Sequence, residues 1–130
     1  MAERRLPERQ EPADTPAGIL VIEDDPIVAM HVEQVLGDLG FREIKIAYDL
    51  ASAMAVISSK LPALALLDVN IRGDLVFPIA AALRERRIPF VFVTGRAKDD
   101  LPVEWSGHPV LAKPLSPKAL AEALAGLGVP

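Results

Sequence analysis

The chain has 130 residues, 51% of them hydrophobic and 25% charged, with a net charge of −4 and no cysteine. That length suits one domain with a real hydrophobic core, and without cysteine there is no disulfide framework, thiolate nucleophile or thiolate metal cluster. The acidic balance offers no nucleic-acid footprint, no apolar run approaches the ~18 residues of a membrane span, and the polar N-terminus is no signal peptide; a cytoplasmic protein is the expectation.

Residues 1–17, "MAERRLPERQEPADTPA", are rich in Pro, Glu and Arg and nearly lack large apolar side chains. Such a segment cannot bury enough surface to offset its ordering entropy, so it reads as a flexible tail ahead of a domain over 18–130. "ILVI" (19–22) is a short continuous apolar run that suits a strand buried on both faces. Asp25-Pro26 has the pattern of an N-cap followed by proline in the first turn. The helix it opens runs to about Leu39, stops at Gly40, and turns Val28, Val32, Val35, Leu36 and Leu39 to one side. "EIKIA" (43–47) alternates like an edge strand. Asp49 caps a second helix with Met54, Ile57 and Leu61 inward, ended by Pro62, and "ALALLDV" (63–69) is the most apolar strand and therefore central. A shorter helix over roughly 77–87, strands "PFVFVT" (89–94) and "PVLA" (109–112), and a last helix opened by Ser116-Pro117 and reaching about Ala125 complete the series.

Five strands alternating with helices predict an α/β fold with a parallel sheet covered on both faces. Right-handed crossovers and five strands favour the flavodoxin-like doubly wound order 2-1-3-4-5. No glycine-rich phosphate loop follows the first strand, which argues against dinucleotide or P-loop binding. In doubly wound sheets the site lies beyond the carboxyl ends of the strands. Glu23 and Asp24 end the first strand, Asp68 the third, Thr94 the fourth and Lys113 the fifth, so all five fall on one rim. Three carboxylates there repel one another. A divalent cation relieves that repulsion, and an all-oxygen donor set suits Mg²⁺. A carboxylate beside a metal, a lysine and a hydroxyl is a plausible phosphoryl acceptor.

"VIEDDP", "LLDVN", "FVTG" and "LAKP", in that order on those strands, resemble the receiver domain of two-component response regulators over about residues 18–128. The resemblance implies Asp68 as phospho-acceptor, Asp24 as a direct Mg²⁺ ligand, Glu23 as one acting through water, and the Asn70 backbone carbonyl as a further ligand. It implies Thr94 as switch hydroxyl and Lys113 as the lysine bridging acid and phosphate, and leaves Asp25 as a helix cap. "IPFVFVTGRA" and "DVNIRGDLVFPIAAAL" further resemble the single-domain FATGUY receivers of alphaproteobacteria, with Val93 and Ala97 departing from that motif. Val110 stands where many receivers carry an aromatic switch residue, so threonine–aromatic gating does not carry over. Arg72 replaces the usual proline after the acceptor, in a segment that looks shortened. Residues 95–108 hold two glycines, a proline and no helical period, which predicts a short, irregular or missing fourth helix. This long loop lies over the site and is the expected moving part, with Trp105 packing it onto the domain. Arg96 and Asn70 flank the site, while His31 and His108 lack a metal-spaced partner and read as structural or surface residues.

The expected function is a stand-alone receiver phosphorylated by a histidine kinase or phosphotransfer protein. The chain ends just after its last helix, so its output is expected through contacts with a downstream protein, with neither nucleic acid nor membrane as partner. The alternative is a phosphorylation-independent binding module on the same fold. An aspartyl phosphohydrolase needs a second acid two residues after the nucleophile, where this chain has Asn70.

Overall fold

The computed structural model describes residues 18–95 and 101–127. The expected tail over 1–17, Arg96 and the last three residues lie outside them. Strand β1 (Ile19–Ile22) is buried throughout. Asp25 then caps α1 (Pro26–Asp38), its Oδ1 accepting the Ile27 and Val28 amides at 2.9 and 3.4 Å. These are two of the donors a helix start leaves unpaired. Gly40, at φ 103°, ends the helix in a conformation that costs other residues more. Next come β2 (Ile44–Ala47), α2 (Leu50–Ser59), capped by Asp49, and β3 (Leu64–Asp68). Further along the chain come α3 (Phe77–Glu85), β6 (Phe90–Thr94), β7 (Val110–Ala112) and α4 (Pro117–Gly126), the last capped by Ser116.

Between β3 and α3 lie two strands that the sequence reading did not foresee, β4 (Asn70–Ile71) and β5 (Asp74–Leu75), paired antiparallel as a hairpin. Its two-residue turn is Arg72-Gly73, both left-handed at φ 54° and 86°. That is the turn whose twist matches a hairpin. The main sheet has the order β2-β1-β3-β6-β7, all parallel, which is the expected 2-1-3-4-5 counted over five strands.

Strand alternation splits the core in two. Leu20, Ile22, Leu67, Phe90 and Phe92 face one side with Ala53, Ile57, Ile79 and Leu83 of α2 and α3. Ile19, Val21, Leu66, Val91 and Val93 face the other with Val32 and Leu36 of α1 and Leu120 and Leu124 of α4. Two expected core residues are corrected. Leu39 is 38% exposed because it is the C-cap of α1, beyond the last inward turn, and Met54 is 39% exposed because α2 packs through Ala53 and Ile57 instead. An i, i+4 pair sets that face and rotates Met54 off it.

Among the described residues of the 95–108 segment the only helical turn is 3-10, Val103–Trp105. Trp105 is buried as expected. It stacks on Phe77 at 5.9 Å, meets Phe90 and Phe92 edge-on and carries the Arg84 guanidinium 4.3 Å above its ring. His108 lies flat on Phe90 at 4.7 Å. Burial, with the Arg84 charge nearby, holds its pKa below the ordinary histidine value. A depressed folded-state pKa contributes stability at neutral pH that is lost as the solution is acidified through it. His108→Phe keeps the stacking but not the titration. Thermal unfolding followed from about pH 7 to pH 5 should therefore show a shallower decline for the variant than for wild type.

Candidate functional site: an acidic pocket at the carboxyl rim of the sheet

The parallel sheet brings the carboxyl ends of β1, β3, β6 and β7 to one rim, and with them residues up to 90 positions apart in the chain. Glu23, Asp68 and Thr94 are buried there although each is polar, and Asp24 is half-buried. Lys113 holds the group together. Its Nζ donates to Asp68 Oδ2 at 2.8 Å and pairs with Glu23 Oε1 at 2.8 Å. Its backbone amide donates to the Thr94 carbonyl at 3.0 Å, so the end of β7 is pinned to the end of β6. Asp25, capping α1, takes no part through its side chain, but its amide donates to Glu23 Oε2 at 3.1 Å.

Glu23, Asp24 and Asp68 each present a carboxylate oxygen within 4.8 Å of the others. Burial pushes the Glu23 pKa up, helped by the Asp68 charge and opposed by the bonds from Lys113 and the Asp25 amide. For Lys113, burial alone favours the neutral amine, yet the bonds to Asp68 and Glu23 outweigh it and raise the pKa. Burial also opposes charge on Asp24, but the Arg72 amide and a bond shared with the Glu23 side chain hold its pKa down. The pocket thus keeps a fixed cation beside a cluster of anions.

The expected site residues come together. Asp68, Asn70, Thr94 and Lys113 line one open cavity of about 560 Å³ with Val69, Leu75, Phe77, Gly95 and Pro102. Asn70 enters it through the hairpin. The Val76 amide bonds the Val69 carbonyl at 2.9 Å, so Asn70, opposite Leu75, is the next, non-hydrogen-bonded pair. At such a pair the amide and carbonyl both point away from the partner strand. The Asn70 amide accordingly reaches Asp68 Oδ1 at 3.4 Å, and the ladder pattern turns its carbonyl to that same side. No aromatic ring occupies position 110, as the sequence implied; Val110 packs against the Trp105 side of the core.

Sequence reasoning missed one contributor. Arg72 appeared only as a departure from the expected proline, yet its amide donates to Asp24 Oδ2 at 2.9 Å. The Arg-Gly dipeptide flanked by two short alternating pairs was the available signal, a faint one because Asn-Gly or Asp-Gly is the usual mark of such a turn.

Comparison with known proteins accords with this geometry. The profile of the response regulator receiver domain matches residues 19–125, and the chain belongs to that family. It is 31% identical over 111 residues to the positive alginate biosynthesis regulatory protein of Pseudomonas aeruginosa, covering 82% of this chain and 45% of that protein. It is 31% identical over 113 residues to the phyllosphere-induced regulator PhyR of Methylorubrum extorquens, covering 84% of this chain and 42% of PhyR. The chain thus spans less than half the length of these curated relatives. The solution structure of SdrG from Sphingomonas melonis Fr1 is 38% identical, with a TM-score of 0.78, and the alignment covers 88% of this chain and 98% of SdrG. Similarity to both SdrG and PhyR agrees with the FATGUY resemblance. The family places the chain in two-component signalling, and no described helix is long and apolar enough to cross a membrane.

Proposed function

We propose that this chain is a stand-alone receiver that takes a phosphoryl group onto Asp68 from a phosphohistidine of a histidine kinase or phosphotransfer protein, and that it acts in the cytoplasm through a downstream protein. The observation that carries the proposal is the double contact of Lys113 Nζ, 2.8 Å from both Asp68 and Glu23, beside a carboxylate cluster that fits a hard divalent cation. Asp24 and Asp68 would hold Mg²⁺ with the Asn70 carbonyl, and Glu23 through water. Mg²⁺, when bound, offsets negative charge on the transferring oxygens.

An Asp68 oxygen attacks phosphorus as the N–P bond to the donor imidazole breaks, and the electron pair leaves with that nitrogen. Lys113 steadies the acid before transfer and is free to follow the new phosphoryl oxygens afterwards. Thr94, on the same cavity wall, supplies a hydroxyl donor to one of them. Water later cleaves the acyl phosphate, returning the carboxylate and inorganic phosphate. The added group brings roughly one to two negative charges and three acceptor oxygens. Its contacts with Thr94 and Lys113 bias the 95–108 segment, whose Gly95 and Pro102 line the cavity.

The full chain incubated with acetyl phosphate tests this directly. Intact-mass measurement should show one added phosphoryl group with Mg²⁺ present and none with EDTA. No gain under either condition would favour a phosphorylation-independent binding module.

A further inference from the structure

We propose that Arg72 is a positioning residue: by tying the β4–β5 hairpin to the turn after β2, it holds both Asp24 and the Asn70 carbonyl in place for the divalent cation. This rests on the cation reading given above.

Arg72 occupies a backbone conformation, φ 54°, that side chains other than glycine rarely adopt. Asparagine, aspartate or glycine is the usual solution at the first central residue of such a turn. An arginine there calls for a compensating contact, and the structure holds one. The Arg72 Nε donates to the Tyr48 carbonyl at 3.1 Å, 24 residues away in the chain, just past β2. The same residue's amide donates to Asp24 Oδ2 at 2.9 Å, across 48 residues. One side therefore anchors the hairpin to the body of the domain and the other orients a carboxylate of the cluster.

The hairpin itself is small, two residues per strand. Isolated hairpins are marginal in water. Its internal ties are the ladder pairing of Ile71 with Asp74, the Val76–Val69 bond and a bond from the Gly73 amide to Asn70 Oδ1 at 3.0 Å. The latter occupies the Asn70 side-chain oxygen with the turn, so Asn70 faces the cluster through its backbone. Whatever fixes the hairpin against the rim consequently fixes that carbonyl: Ile71 and Val76 bury in the core at its base, and the Arg72–Tyr48 bond ties down its turn. Groups that orient ligands from outside a coordination sphere have large effects on affinity.

Glycine at position 72 separates this role from simple turn formation. Arg72→Gly suits the left-handed turn at least as well as arginine and keeps the amide that reaches Asp24, but it removes the bond to Tyr48. Binding is read by titrating Mn²⁺ into the full chain and following the free-ion signal by electron paramagnetic resonance, with Mg²⁺ as competitor. Arg72→Gly should weaken Mn²⁺ binding about tenfold, the low end for loss of an orienting partner. Arg72→Lys, which can still reach the Tyr48 carbonyl, should recover most of the loss. The Gly73 amide should exchange with solvent faster in metal-free Arg72→Gly than in wild type. Wild-type affinity in Arg72→Gly would overturn the positioning role and leave the cation site standing. Wild type failing to bind Mn²⁺ would overturn both.

Discussion

Asparagine in place of Asp68 is expected to abolish phosphoryl labelling completely while leaving the fold intact. The amide is nearly isosteric with the carboxylate, and the end of β3 is held by strand pairing, Leu67 opposite Ile22 on one side and Asp68 opposite Val93 on the other. What disappears is the anionic oxygen that attacks phosphorus, along with one of three carboxylates in the cluster. Two readouts separate these effects. Labelling by acetyl phosphate should fall to zero by intact mass. Metal-free thermal stability should hold or rise slightly, because like charge at the rim is reduced. If wild type binds Mg²⁺ as proposed, the ion at a hundred times its dissociation constant would stabilise the native state by about 2.7 kcal/mol. That increment should shrink sharply in Asp68→Asn. Labelling that survived the substitution would move the acceptor elsewhere and end the present assignment.

Lys113→Ala should produce the second large effect, this time on stability. Removing the ammonium leaves Glu23 and Asp68 buried without their cation. Breaking a fully buried pair costs about 3–5 kcal/mol; because 24% of the Lys113 side chain remains exposed, a loss of roughly 2 kcal/mol is expected from chemical denaturation. Lys113 has a raised pKa, so its contribution is fully present below the ordinary lysine value and lost only as pH climbs through the raised one. The difference between variant and wild type should thus persist across neutral pH and narrow only under strongly alkaline conditions. Added Mg²⁺ should stabilise the variant more than wild type, since the ion then supplies the missing positive charge. Labelling should continue at a reduced level, but hydrogen exchange over 101–108 should no longer respond to it. An unchanged response there would remove Lys113 from the coupling.

Much of this was readable before any coordinates. Continuous apolar runs such as "LALLD" are legible as buried strands because parallel strands contribute to two cores at once, and Leu66 and Leu67 do so on opposite faces. Cap-and-proline pairs marked the starts of α1 and α4 because their chemistry is local. The rim residues followed from topology alone, since parallel strands share a polarity. What escaped depended on three-dimensional detail. Strands of two residues carry almost no period, so β4 and β5 left only the faint Arg-Gly turn as a signal. Which side of a ten-residue helix faces inward turns on a single pair, Ala53 and Ile57, and the larger Met54 drew the sequence reading the wrong way. The Arg72 amide could not be anticipated, because a backbone donor is the same in every residue and only its placement gives it a role.

The aromatic cluster has a practical side. The chain holds one tryptophan, and its indole is stacked on Phe77, a ring that forms part of the wall around the proposed acceptor. Trp105 also carries a guanidinium 4.3 Å above its ring, so a shift of that charge relative to the indole would alter its emission. The molecule thereby contains a native indole within two side chains of the proposed acceptor. Candidate donors that lack tryptophan could then be surveyed by its emission, without labels that would perturb the surface they are meant to recognise.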